Sequence, residues 1–161
     1  MKLELQESST REELRRASGM DNNEVLDKML ELGLTGETVA ALSLIPPLHV
    51  AWADGRMQEP ERSAILHGAE GKGIDKGSPA WQMLEDWLSS EPPPAMFEAW
   101  SAYIQALGKE LLNDQQFSTL KSQILAFAKG VAAAAGGFLG IGSIAKAESQ
   151  AIAHIESAFQ L

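Results

Sequence analysis

The sequence predicts an all-α fold: a compact bundle of about seven or eight helices with an internal pseudo-two-fold repeat. Three observations carry this. Every periodic apolar stretch recurs at helical spacing, and no segment shows strand alternation or a hairpin turn. Gly and Pro punctuate the chain at intervals that suit helices rather than strands. Residues 55–67 and 142–154 also read alike: Gly55, Glu61, Ala64, Ile65 and His67 recur as Gly142, Glu148, Ala151, Ile152 and His154. Each copy closes a long apolar segment and opens an amphipathic one, so one helix–turn–helix corner occurs twice. A chain of 161 residues suits one domain with a real core, spanning residues 1–161.

Along the chain, Ser9-Thr10-Arg11-Glu12-Glu13 reads as a capping signal before a short helix to about Arg16, within a loosely attached segment, residues 1–20. Asp21 or Asn22 caps a second helix, with Val25, Leu26, Met29, Leu30 and Leu32 inward and Gly33 as its stop. The repeat region, residues 36–161, begins with a third helix from Thr35 or Gly36 to Ala53. Only Ser43 and His49 are polar between Val39 and Ala53, so this helix is expected to be buried nearly all round. Pro46-Pro47 must kink or break it, and Asp54-Gly55 ends it.

A fourth helix runs from near Gln58 to Gly71–Gly73. Ser78 and Pro79 open a fifth, with Trp81, Leu84 and Leu88 in a stripe. Residues 89–94, Ser-Ser-Glu-Pro-Pro-Pro, form a stiff linker. A sixth helix carries Trp100, Tyr103, Leu107 and Leu111 at helical spacing. The seventh runs from about Asp114 to Ala135, turning small-sided at Val131-Ala132-Ala133-Ala134-Ala135 so that a neighbour can approach closely. The eighth runs from about Lys146 to Phe159, with Ile152, Ile155 and Phe159 inside. The third and seventh are counterparts and the most apolar, which places them at the centre with the fourth and eighth across them.

Composition removes several function classes. A net charge of −9 repels nucleic acid and anionic membranes. The absence of cysteine excludes disulfides, thiolate nucleophiles and thiolate zinc sites. Met1-Lys2-Leu3-Glu4 does not open a signal peptide. The uncharged run Gly130–Ala145 falls short of the roughly 20 residues needed to cross a bilayer. These readings predict a cytoplasmic protein without membrane insertion.

Glu61 shares a helical face with Ile65 and Ala69, and Glu148 shares one with Ile152, Ile155 and Phe159. Both acids therefore head an inward stripe, where an unpaired charge is costly. Two readings stand side by side. With Gln58 and Ala145 as N-caps, both glutamates sit at N3, where a carboxylate bonds back to the cap amide and complements the helix dipole. Alternatively, Asp54, Glu61 and Glu148 converge to bind a divalent cation through oxygen.

Asp54-Gly55 lacks the alternating oxygen ligands of a calcium loop. His67 and His154 lie about 200° round their helices from Ile65 and Ile152, which points them to solvent. His49 reads as a hydrogen-bonded core histidine rather than a ligand. The tryptophans read as packing. Gly136-Gly137-Phe138-Leu139-Gly140-Ile141-Gly142 comes after a helix and lacks the Lys-Ser/Thr ending of a phosphate loop. No nucleophile–base constellation is present.

The segment Ala51-Trp52-Ala53-Asp54-Gly55-Arg56-Met57-Gln58-Glu59-Pro60-Glu61-Arg62-Ser63-Ala64-Ile65-Leu66 resembles the tellurite-resistance TerB-like family, marked by an Ala-Asp-Gly turn, an apolar residue and a helix opening around Pro and Glu. Residues 136–142 with Ile144 and Glu148 resemble the second half of that pattern. The resemblance implies an all-helical pseudo-two-fold protein, non-enzymatic, linked to tellurite and stress resistance. It also implies an acidic patch for a divalent metal at Asp54, Glu61 and Glu148, and work within assemblies near the inner membrane. Ile141 replaces an acid of the family pattern, Gln58 stands where Asp is common, and Ala145 replaces a capping residue.

The leading expectation is thus a non-enzymatic stress-resistance binding or scaffold protein, linked to a divalent cation and to partner proteins, with a homodimer compatible. Without cysteine it cannot reduce tellurite with its own thiols. The alternatives are a small enzyme with a helical pocket around Glu61, Glu148 and His49, and a protein-interaction module with no metal.

Overall fold

The structure, a computed structural model, describes residues 2–136 and 146–160. Those residues form eight α-helices and no strand: α1 Lys2–Ser18, α2 Asn23–Glu31, α3 Ile45–Ala51, α4 Glu59–Gly71, α5 Pro79–Ser89, α6 Pro94–Ala106, α7 Asp114–Gly136 and α8 Lys146–Ser157. A 3-10 helix, Val39–Leu44, leads into α3, and a π turn, Leu107–Leu111, ends α6. The all-helical expectation holds. No described helix is long and apolar enough to cross a membrane. The corner expected from the glycine-rich residues 137–142, with Ile141 matching Asp54 in the repeat, and the expected N-cap Ala145 lie outside the described residues.

Central α3 packs against α7, α8 and α6, while α4 lies along α7. Its sequence explains its place: every residue from Ile45 to Ala51 except His49 is buried. The small face of α7, with Ala128, Val131 and Ala132 buried, lets neighbouring backbones come close. One contact is tighter still. A Cβ built on Gly68 of α4 would stand 2.0 Å from the Phe127 ring of α7, so the crossing depends on a glycine there.

Several helix boundaries differ from expectation for identifiable reasons. The helix expected from Thr35 or Gly36 to Ala53 is broken just ahead of Pro46-Pro47, one of the two outcomes expected of those prolines, into the 3-10 helix and α3. Thr38 Oγ1 accepts from the Thr35 amide at 2.8 Å, and Thr35 Oγ1 from the Glu37 amide at 3.2 Å, closing a turn ahead of the 3-10 helix. Pro46 and Pro47 then fall in the first turn of α3, where amides have no intrahelical acceptor and prolines cost nothing. They open a helix rather than kink one.

Helix α1 starts at Lys2, not at Ser9, and its C-terminal end is anchored: Leu14 and Met20 are fully buried. The Tyr103 hydroxyl of α6 donates to the Ser18 carbonyl at 2.8 Å. Leu111, expected on the inward stripe of the sixth helix, is 50% exposed, because the π turn widens the helix and shifts the phase of its last residues. Asn22 caps α2, accepting from the Glu24 and Val25 amides.

Candidate functional site

The α3–α4 corner is built as the local chemistry requires. Gly55 takes a left-handed φ of 87°, and its amide donates to the Trp52 carbonyl at 2.8 Å. Only glycine adopts that conformation freely. Asp54 is exposed and Oδ1 accepts from the Arg56 amide at 3.3 Å. Gln58 is the N-cap of α4, Pro60 lies in its first turn, and Glu61 stands at N3.

Glu61 serves in part as a cap: Oε1 accepts the Gln58 amide at 3.0 Å. The cap reading of its sequence position is therefore correct for one oxygen. The other differs. Glu61 is 0% exposed, and Oε2 has no hydrogen-bond partner. Burial raises the Glu61 pKa from 4.5 to about 7; the Gln58 amide opposes this, and the negative charges of Asp54 and Glu148 reinforce it. Asp54 and Glu148, the other two acids singled out in the sequence, thus each lie within electrostatic range of Glu61. Glu148, 4% exposed, is the third residue of α8.

An orphaned buried oxygen beside two like charges fits a cation in donor type and charge. Among the described residues, however, no three His, Asp or Glu side chains are already gathered to hold a metal ion. A cation here would draw on carboxylate oxygen, backbone carbonyls and water, as hard divalent ions accept.

A second locus lies elsewhere. A cavity of about 430 Å³ opens between α3, the Pro92–Pro94 linker, α6 and α8. Leu48, Trp52 and Phe97 line it, with His49 and His154 on one wall and Glu91 and Glu98 contributing carboxylates. It contains neither Glu61 nor Glu148. This cavity does not join His49 to either glutamate, because α3 directs His49 toward Phe97 of α6 and His154 of α8.

His49 is half-buried rather than sealed in the core. Its Nε2 stands 3.1 Å from Nδ1 of His154. Phe97 stacks on the His154 ring at 4.2 Å and meets the His49 ring at 4.4 Å. Burial, followed by the neighbouring His154, lowers the His49 pKa to about 4. Helical phase alone places His154 on the solvated surface. It is exposed, but its ring is engaged by two partners from other helices. His67, its counterpart, is exposed.

No family model, curated protein or solved structure matches the chain.

Proposed function

We propose that the chain is a non-enzymatic helical binding module whose acidic corner takes a divalent cation. Glu61 is the central ligand, with Asp54 and Glu148 contributing. One observation carries the reading: Glu61 Oε2 is fully buried, unpartnered and flanked by two further negative charges. A buried carboxylate left so is costly; a hard cation would relieve both the desolvation and the repulsion.

Occupancy would tie the α3–α4 turn to the start of α8, so the ion acts as a brace or switch on surfaces around the corner. The wider role, a tellurite- and stress-resistance assembly of the TerB-like kind, rests on the sequence resemblance at residues 51–66 and is part of the same proposal. Protein partners and a cytoplasmic setting belong to it too.

The test is thermal melting of the full chain, stripped with chelator and then titrated with Ca²⁺, Mg²⁺ or Mn²⁺. A ligand at a hundred times its Kd stabilises by about 2.7 kcal/mol. For a domain of this size that raises Tm by roughly 5–11 °C. Above Kd the rise should grow with the logarithm of ion concentration, and it should be lost in Asp54→Asn and Glu61→Gln. No shift at millimolar concentrations of these three ions removes the cation from the proposal.

A further inference from the structure

The histidine pair is independent of the acidic corner and has a different chemistry. His49 comes from α3 and His154 from α8, helices that pack directly on one another. Their facing nitrogens, Nε2 and Nδ1, are 3.1 Å apart. Phe97 lies against both imidazoles, which restricts how either ring can turn. The pair sits on the wall of a cavity large enough for an ion and its water shell.

We propose that His49 and His154 form a two-imidazole site for a borderline transition-metal ion, with Zn²⁺ and Cu²⁺ as its probes. Nitrogens 3.1 Å apart can both reach one ion at about 2.0–2.1 Å, subtending roughly 100° at the metal, close to a tetrahedral edge. Two histidines joined only by a hydrogen bond would use one lone pair and one N–H. A metal uses both lone pairs and leaves a proton on the outer nitrogen of each ring.

Imidazole suits Zn, Cu and Ni, whereas Ca and Mg prefer oxygen, so the two loci select different ions. Glu91 and Glu98 line the same cavity, and either can supply an oxygen ligand, with water filling the rest. Since no third ligand is already in place among the described residues, the site is open, and the ion keeps positions for an external ligand. The chemical class that fits is an anion or neutral donor small enough for the cavity.

The experiment uses the untagged full chain. Zn²⁺ is titrated in competition with a chromophoric chelator, and Cu²⁺ is monitored by electron paramagnetic resonance. One equivalent should bind, with nitrogen hyperfine structure from two imidazoles. His154→Ala, at the more exposed position, should weaken Zn²⁺ binding about tenfold or more and reduce the Cu²⁺ signature to one nitrogen, with the melting curve confirming that the variant is folded. His49→Gln should do the same. His67→Ala and Glu61→Gln should leave the affinity unchanged; loss of affinity in Glu61→Gln would assign the ion to the acidic corner and overturn the proposal. Equal Zn²⁺ affinity in the wild type and the His49→Gln/His154→Ala double variant would also overturn it, as would an equal loss in His67→Ala.

Discussion

Replacing Glu61 with Gln separates the two uses of its carboxyl group. The Gln side chain retains an oxygen to accept the Gln58 amide, now bonded to Glu61 Oε1 at 3.0 Å. At the second position it exchanges an unpartnered oxygen for an NH₂ donor in the field of Asp54 and Glu148. The folded-state pKa of about 7 lies above the ordinary 4.5, so the native state holds the proton through a range where the unfolded state has lost it. Stability from this group is greatest below 4.5 and falls as pH rises toward 7.

Forcing ionisation over that interval costs about 3 kcal/mol before screening. Glu61 itself is fully buried, but Asp54 beside it is exposed, so solvent reaches the edge of the cluster. Screening brings the expected cost to about 1–2 kcal/mol. In chelator-containing buffer at about pH 8, Glu61→Gln should therefore melt roughly 2–8 °C above the wild type. The gap should close toward about pH 5. His49, with its pKa held down at about 4, acts in the opposite sense, costing stability as pH falls below 6.5. It is present in both proteins and cancels in the difference. Melts by circular dichroism at both pH values decide the matter. A gap that does not change with pH, or a variant less stable at pH 8, would mean that the Glu61 carboxylate is ionised and satisfied, and the reasoning fails.

Two further substitutions probe the frame that holds the corner. Gly68→Ala places a methyl 2.0 Å from the Phe127 ring, so α4 and α7 must separate or the ring must move. A loss of about 1–3 kcal/mol is expected in urea unfolding, and a change below about 0.5 kcal/mol would show that Phe127 swings aside freely. Trp52→Phe removes the indole N–H that donates to the Trp87 carbonyl at 2.8 Å. That carbonyl lies in the last turn of α5, beyond the reach of an intrahelical amide, so its loss should cost about 1–2 kcal/mol; equal stability would show that water replaces the indole.

Much of the frame was legible because it depends on local chemistry. Asn22, Ser78-Pro79 and Asp54-Gly55 mark helix ends by side-chain capping, fixed φ and left-handed freedom, which operate over three or four residues. Glu61 was legible for a related reason: its position three residues after Gln58 specifies an N3 acid, and its phase against Ile65 specifies burial. What the sequence left open was whether both oxygens would be used. The structure answers that for Oε1, and the orphaned Oε2 is a tertiary fact, set by what packs over the corner. The boundaries that moved, at α1, at the 3-10 helix and at the π turn, are those where packing or a short polar turn outweighs periodicity.

The histidine pair shows the opposite limit. Helical phase puts His154 away from Ile152, and along its own helix that is correct, since the residue is exposed. Phase on one helix cannot say which neighbour stands beside that face. Here α6 brings Phe97 under the ring and α3 brings His49 to 3.1 Å, a meeting across residues 49, 97 and 154 with no spacing signal in the chain. The sequence match is no guide to this, because His67 matches His154 yet is exposed with no ring partner among the described residues. Positions that match in sequence therefore carry different chemistry. The shared feature is the inward glutamate, whose burial is dictated by the helix that bears it. The divergent feature is the histidine, whose partners are supplied by the helices that do not.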